Sequence, residues 1–324
     1  MVRRTLVPAV LLTYLVPLRT NDGADVRELA SYLEGLSNAV GDVLVVDGSS
    51  PEEIARHRAA FAPTVRIMPT EHVTLMGKVG NVCTGLEHAR HAKVVIADDD
   101  VRYEPEQLAR VSALLEDADV VRPQNFFFPL PWHARFDTAR TLLARITGGD
   151  WPGTLAVRRA PLLAAGGYAG DVLFENLELV RTVRAFGGRE IVALDVLVLR
   201  RPPTTTHFFG QQIRQAYDEF ARPTRLLVSL IALPTTLVLA RRSRRGLACL
   251  VAAVTTSAEA GRRYAGGRRA FAASSSLLAF PWLLWRSACS WIALGAFLRG
   301  GVRYRDVRLR RPATPKRVLA RRFG

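Results

Sequence analysis

The sequence predicts an α/β fold, a mostly parallel sheet covered by helices, followed by a C-terminal section of a different kind. Three observations carry this. Within the first 122 residues, five short apolar runs alternate with stretches of helical periodicity. The first of them, over 7–16, suits a strand buried on both faces, and such β-α repetition calls for a parallel sheet covered by helices. Charge, finally, is split along the chain. Residues 1–220 hold 24 Lys and Arg against 27 Asp and Glu, a net −3, whereas residues 221–324 hold 21 against 2, a net +19. The formal charge of +16 on this 324-residue chain therefore sits in its last third, beside its longest apolar runs. A nucleic-acid reader carries its charge on the folded domain with aromatic residues for stacking, so nucleic acid is not an expected partner. Basic residues flanking apolar runs point to an anionic membrane surface. Cys83, Cys249 and Cys289 form neither a CxxC nor a disulfide framework, so a reducing setting without structural zinc is expected.

The elements follow in order. Met1-Val2-Arg3-Arg4 and the apolar run to Leu18 mimic a signal peptide. No small-residue cleavage site follows and prolines stand at 8 and 17, so a buried first strand is expected over 7–16. Val26, Leu29, Ala30, Leu33 and Leu36 recur at helical spacing. A strand over 42–46 ends in Asp47-Gly48-Ser49-Ser50, and Ser50-Pro51-Glu52-Glu53 is a capping box with proline at the first helical position. A strand over 64–68 and a loop to Gly77 precede a helix over 78–91. The strand over 93–97 runs straight into Asp98-Asp99-Asp100, Glu104-Pro105 opens another helix, and 119–122 reads as a fifth strand. Residues 123–170 are irregular, rich in Pro and Gly. A helix over 175–186 stopped by Gly187-Gly188 and a strand over 191–199 follow, and 204–221 is polar and aromatic.

Beyond this point the uncharged run 226–240 makes a helix of only about 22 Å, short of a hydrocarbon core of roughly 30 Å. Residues 246–258 are fewer still, and 270–298 are long enough to span but carry Pro281 and Arg286. A lone crossing by the first run would export Arg241-Arg242-Ser243-Arg244-Arg245 against the positive-inside bias, whereas a re-entrant or helix-hairpin pair over 226–258 keeps them near one interface. Residues 299–322 carry ten basic residues and one acid, as an interfacial tail does. The expected organisation is a catalytic domain over 1–221, membrane-embedded or re-entrant helices over 222–298, and a basic cytoplasmic tail over 299–324.

Asp98-Asp99-Asp100 is the strongest chemical feature. Ligands of open α/β sheets bind beyond the carboxyl ends of strands, and two carboxylates one residue apart, Asp98 and Asp100, can hold Mg²⁺ or Mn²⁺ together with substrate phosphates. An acidic turn capping the helix at Pro105 is the plain alternative. Asp47 lies at another strand end, and Lys78 and Asn81 open a helix, where a lysine and a helix N-terminus help neutralise a diphosphate. His207 and the Phe126-Phe127-Phe128 run with Trp132 are read as either packing or part of a membrane-side mouth.

These residues resemble a family. Val46-Asp47-Gly48-Ser49, Lys78-Val79-Gly80-Asn81, Ile96 to Arg102, Gly153-Thr154, Ala164 to Tyr168 and Gln211-Gln212-Ile213-Arg214-Gln215 are similar in order and spacing to the landmarks of family 2-type inverting glycosyltransferases of the GT-A fold. The affinity is closest to the ceramide glucosyltransferase-like membrane branch, whose segment after the last membrane helix Val302-Arg303-Tyr304-Arg305 resembles. The resemblance implies Asp47 at the nucleotide base, Lys78 and Asn81 at the donor, Asp98 at the nucleotide and Asp100 at the metal. It also implies Gln211 and Arg214 facing donor and acceptor. A nucleotide-sugar donor, UDP-linked in many members, and a lipid or other membrane-held acceptor follow, with the domain cytoplasmic at the cell membrane. Two departures stand out. Gln215 replaces the family's tryptophan, and Asn176 in Phe174-Glu175-Asn176-Leu177-Glu178 replaces the aspartate base; an amide takes no proton from a hydroxyl. Glu175 is the expected base, with Glu178, one turn on, or an already ionised acceptor as alternatives. A silent nucleotide-sugar-binding protein and a membrane nucleotidyltransferase are the competing functions.

Overall fold

The computed structural model describes residues 10–21, 23–304 and 307–323. Met1-Val2-Arg3-Arg4, the start of the expected first strand, and Arg305 lie outside them.

The chain runs β1 (Val10–Leu18), α1 (Arg27–Ser37), β2 (Val40–Asp47), α2 (Pro51–Ala60), β3 (Val65–Pro69), α3 (Gly77–His88) and β4 (Lys93–Ala97). Then come β5 (Val101–Arg102), α4 (Pro105–Leu114), β6 (Val120–Phe127), α5 (Trp132–Arg145), β7 (Thr154–Arg158), α6 (Arg159–Ala164), α7 (Glu175–Ala185) and β8 (Glu190–Arg200). The eight strands order as β3-β2-β1-β4-β7-β6-β8-β5. β1 to β4 pair in parallel, as does β6 with β8, but β7 inserts antiparallel between β4 and β6, and β5 pairs antiparallel with β8. The sheet is thus mixed and mostly parallel. Each face has its own apolar layer. Leu12, Tyr14, Val43, Val45 and Val95 pack with α1 and α4, while Leu15, Leu44, Val94 and Leu155 pack with α3 and α7. Ser50 caps α2 as expected, its hydroxyl accepting from the Glu53 N–H at 3.3 Å.

β7 and α5 were hidden in the stretch read as irregular. β7 is five residues between Gly153 and the start of α6, too short for a period. α5 buries His133, Asp137, Thr138, Thr141 and Arg145 among Ala134, Ala139, Leu142 and Ala144, so polar residues interrupt its apolar stripe.

α8 (Thr205–Tyr217) is followed by α9 (Pro223–Arg242), α10 (Arg244–Arg263), α11 (Ala273–Leu277) and α12 (Ala279–Leu298). α9 runs through the charged ends that bounded the apolar run, and its 20 residues reach about 30 Å, not 22. Among the described residues it is the one helix long and apolar enough to cross a membrane. α10 returns to the globular part, where Arg145 Nε donates to the Gly261 carbonyl at 2.9 Å. The segment 270–298 is not a single long span. It breaks at Leu278, and α12 buries Trp282, Arg286, Cys289 and Ala293, with Cys289 and Ala293 sharing the apolar layer of Leu15 and Leu155. Arg286 donates to the Gln212 carbonyl at 3.2 Å and to Gln215 Oε1 at 3.1 Å, so its charge lies within the protein.

The basic tail is not a free segment either. β9 (Val302–Tyr304) and β10 (Val307–Leu309) form an antiparallel hairpin, and α13 (Lys316–Phe323) lies against α7.

Candidate active site

The carboxyl ends of β4 and β8 meet at one edge of the sheet, and a cleft of about 300 Å³ opens there. β4 delivers Asp98, Asp99 and Asp100 into it, and the last residue of β8 is Arg200. The Arg200 Nε lies 2.9 and 3.0 Å from the two Asp100 oxygens, and its Nη2 3.3 Å from Asp98 Oδ2. On the other side Lys78, in the first turn of α3, bridges Asp98 Oδ1 at 2.6 Å and Glu175 Oε1 at 2.8 Å. Two cations therefore thread three carboxylates. Burial, then Asp100 and Asp98, pushes the Asp99 carboxyl up to about 6. Burial raises Asp100 as well, against the opposing pull of Arg200.

Gly153 makes this arrangement possible. A Cβ there would stand 2.6 Å from Asp98 Oδ2 and 2.9 Å from the Arg200 guanidinium carbon. Its neighbour Thr154 donates to the Ile96 carbonyl at 2.7 Å, fixing β7 against β4 just before the acids.

α8 forms the facing wall. His207, Gln211 and Arg214 follow at steps of four and three, with Asp218 four residues further, so they share one helical face, and all four line the cleft. His207 contacts Gln211, and burial with Arg214 nearby lowers its pKa. The Arg214 guanidinium lies 5.2 Å from the centre of the Tyr304 ring, which the β9 hairpin brings back to the cleft. Glu175, Asp98, Asp100, Lys78, Gln211 and Arg214 are thus gathered as the sequence reading expected.

Asp47 and Asn81 are not. Asp47 is fully buried, its Oδ2 2.5 Å from His57 Nδ1 and its Oδ1 accepting from the Ser49 N–H at 2.9 Å. With both oxygens engaged beneath the surface, it does not line the cleft and cannot meet a nucleotide base in this arrangement. Asn81 donates to the carbonyls of Leu18 and Val46 at 2.8 and 3.1 Å, stapling the ends of β1 and β2. It does edge a smaller hollow beside Lys78, Asp98 and Asp99. Glu178 also departs from expectation. It is fully buried and accepts from the Thr314 N–H at 2.7 Å, so it is no alternative base. Asn176 donates to the Pro152 carbonyl at 3.0 Å and does not line the cleft; Tyr168 is buried behind it.

Four cleft residues were not anticipated from the sequence. Arg200 carried no signal, because its place depends on β8 lying beside β6. Asp137 and Arg140 sit on the polar face of α5, which had no period to follow. Asp218 was legible, being eleven residues after His207 on one helical face. Burial, reinforced by Glu175 and opposed by Arg214, drives its carboxyl from an ordinary 3.8 to about 8.

Residues 29–151, from α1 through the acidic strand end to the approach of β7, match the family model described as Glycosyl transferase family 2. Over that stretch, less than half of the chain, the sequence is similar to that family. No curated protein matches it in sequence. Among solved structures, the mannosyltransferase PcManGT from Pyrobaculum calidifontis, in complex with GDP-Man and Mn²⁺, superposes with a TM-score of 0.55 at 20% identity, covering 87% of each chain. At that identity the likeness establishes the GT-A fold. Glucosyl-3-phosphoglycerate synthase from Mycobacterium tuberculosis (17% identity, 62% of this chain and 74% of that one, TM-score 0.42) and S. aureus TarS (16%, 62% and 61%, 0.40) are more distant, too much so to build on.

The carboxylates of Asp98 and Asp100 form an oxygen donor set of the kind hard divalent cations take, with room in the cleft for the remaining ligands. Among the described residues no three His, Cys, Asp or Glu side chains form a closed cage, so this set would need phosphate or water to complete it.

Proposed function

We propose that this glycosyltransferase moves a sugar, with inversion, from a nucleotide-sugar donor onto a lipid or other acceptor held at a membrane, with Mg²⁺ or Mn²⁺ bound. The observation that carries the reading is the convergence of Asp98, Asp100, Lys78, Arg200, Glu175 and Arg214 on one cleft at the carboxyl edge of the sheet. A UDP-sugar is the expected donor; the GDP-Man bound by the archaeal mannosyltransferase makes GDP-sugars the second choice.

Asp98 and Asp100 would hold the cation, which supplies Lewis-acid stabilisation to the departing diphosphate. Lys78 and Arg200 now neutralise those acids. Once phosphates enter, the same two cations, with Arg214, supply positive charge to the leaving group without large movement of the backbone. Glu175 is the base, held towards the cleft by Lys78 and able to take the proton of an acceptor hydroxyl. Asp218 is the second candidate, because a carboxyl with a pKa near 8 in the same cleft matches the working pH more closely. An acceptor phosphate would need neither. Asn176 favours one further reading, a protein that binds nucleotide-sugar without turnover.

Attachment to the membrane rests on α9. Leu227, Val228, Ile231, Leu237 and Val238 are exposed on it, whereas Ser229, Ala232 and Thr236 face inward. Pro234 removes the N–H that the Leu230 carbonyl would receive, and Trp291 Nε1 donates to that carbonyl at 3.0 Å instead. Such substitution of lost backbone bonds by a neighbouring helix is what a lipid-embedded helix requires. α9 and α10 pack as a helix pair, Arg241 and Arg242 ending the first and Arg244 and Arg245 opening the second, which is consistent with a hairpin at the interface. The branch resemblance, a cytoplasmic catalytic domain and the tail at the same interface belong to this proposal.

The test incubates membranes containing the protein with radiolabelled UDP- and GDP-sugars, Mn²⁺ or Mg²⁺, and a lipid extract. Label should enter the organic phase with the wild type and fall at least about 10³-fold with Asp100→Ala. Donor binding without transfer, across all donors and both metals, would leave the binding-only reading standing. Glu175→Gln and Asp218→Asn then separate the two bases by which abolishes transfer.

A further inference from the structure

A second cavity, of about 880 Å³, opens where α9 leaves the globular part. Its walls come from the turn before α9, the first turn of α9, the end of α12 and the strand-like stretch leading into α13. Six cations line it: Arg181, Arg222, Arg225, Arg310, Arg311 and Lys316. Among the described residues two acids pair with them directly, with Glu178 near Arg181 and Asp218 near Arg222 acting at longer range. Glu219 lies 3.0 Å from Arg222 and 3.5 Å from Arg225, and Asp171 lies 3.0 Å from Arg311. Among the described residues Arg310 and Lys316 have no acidic partner, and the buried Nε atoms of Arg181 and Arg222 have no hydrogen-bond acceptor. Burial lowers the Arg222 pKa to about 10, and crowding by Arg225 adds to it. The positive end of the α9 dipole acts in the same place. Such an excess of cations around a hollow favours an anion with several acceptor oxygens.

The rest of the lining says what kind of anion. Phe220 and Phe297 stack at the cavity, ring centres 4.7 Å apart and planes within 10°. The exposed apolar stripe of α9 begins at Leu227, about one turn beyond the cavity, and Leu298 is exposed at the end of α12. Phosphate-binding charge and a greasy exit lie end to end. A free phosphate or a soluble sugar phosphate has no use for the second.

We propose that this cavity binds the phosphate headgroup of an anionic phospholipid, whose chains run along α9, at a site separate from the catalytic cleft. The proposal rests on the membrane reading above and adds to it a lipid preference.

The full-length protein is floated with vesicles of phosphatidylcholine alone or with added phosphatidylglycerol. The wild type should bind the anionic vesicles roughly tenfold or more tightly. Arg310→Glu with Lys316→Glu should remove that preference, while binding to neutral vesicles and donor turnover with a detergent-dispersed acceptor stay as in the wild type. Arg241→Glu with Arg242→Glu, equal in charge but outside the cavity, should retain most of the preference. Equal losses in both double variants would show diffuse attraction and overturn the site. Inorganic phosphate that raises the thermal midpoint of the wild type but not of the cavity variant, with no difference between vesicles, would mean a free-phosphate site and overturn the lipid assignment. Equal wild-type binding to the two vesicle types would overturn the lipid site alone, whereas no binding to any vesicle would overturn the membrane reading itself.

Discussion

The sheet and the α9–α12 contact are both buried, yet they are built in opposite senses. In the sheet, Leu15, Val94, Ile96 and Leu155 point inward, and the acids and arginines gather at its edge. Where α9 packs on α12 the inward residues of α9 are small, Ser229, Ala232 and Thr236, while Leu227, Ile231, Val238 and, on α12, Ile292 are left outside. Withdrawal of apolar surface from water explains the first. It cannot explain the second, which leaves its largest apolar residues uncovered. Small residues at the contact, with hydroxyl and indole groups bonding across it, fit the membrane attachment proposed above. Ser287 Oγ accepting from the Leu233 N–H at 3.0 Å is one such bond.

The comparison breaks most visibly on α9. Leu227→Lys, Ile231→Lys and Val238→Lys together place three charges on its outer face, each costing about 2.5–3.5 kcal/mol in a bilayer centre. The triple variant should leave the membrane fraction for the soluble one, whereas in a purely water-solvated protein it would improve solubility and change little else. Next in size is Gly153→Ala at the sheet edge. The added methyl must part Asp98 from Arg200, and turnover should fall by about 10–100-fold with the protein still folded and still membrane-bound. A steady-state rate close to the wild type's would mean that the pair is not held in its catalytic position.

A smaller effect separates the water-facing site by pH. Asp218 keeps its proton in the folded chain up to about 8, whereas the unfolded chain loses it near 3.8. Between those values the native state binds the extra proton, so stability falls as pH rises. Asp218→Asn removes that penalty. Its melting temperature should match the wild type near pH 4 and exceed it by several degrees at pH 8; a gain independent of pH would mean that the carboxyl is not buried in the way described. Smallest is Trp291→Phe, which strips the donor from the Leu230 carbonyl and should cost roughly 1 kcal/mol or less in unfolding from detergent or bilayer.

Much of this was legible in the sequence where a period existed to be read. β2, β3, β4, α1 and α7 fall within a few residues of expectation because their inward faces are largely apolar at the right spacing, and α2 because Ser50 and Pro51 mark its start. α5 and α8 carry polar groups toward the cleft or the protein interior, and the same property that makes them useful made them invisible. Within the site, residues fixed by local context, such as Asp98 and Asp100 after a strand, were found. Arg200 belongs to the site only because two strands far apart in sequence lie side by side. Asp47 shows the converse. Its position at a strand end was right, but His57, on the next helix, takes its side chain out of reach.

Tyr304 has a consequence for the order in which the enzyme comes into being. It packs against Arg214 in the cleft, although nearly three hundred residues separate it from β1. During synthesis the sheet, its acids and α8 emerge well before it, and α9 to α12 come between. The cleft is therefore finished last, after α9 to α12 have been made, and a chain stalled or cut before β9 would carry every acid of the site yet lack one of its walls.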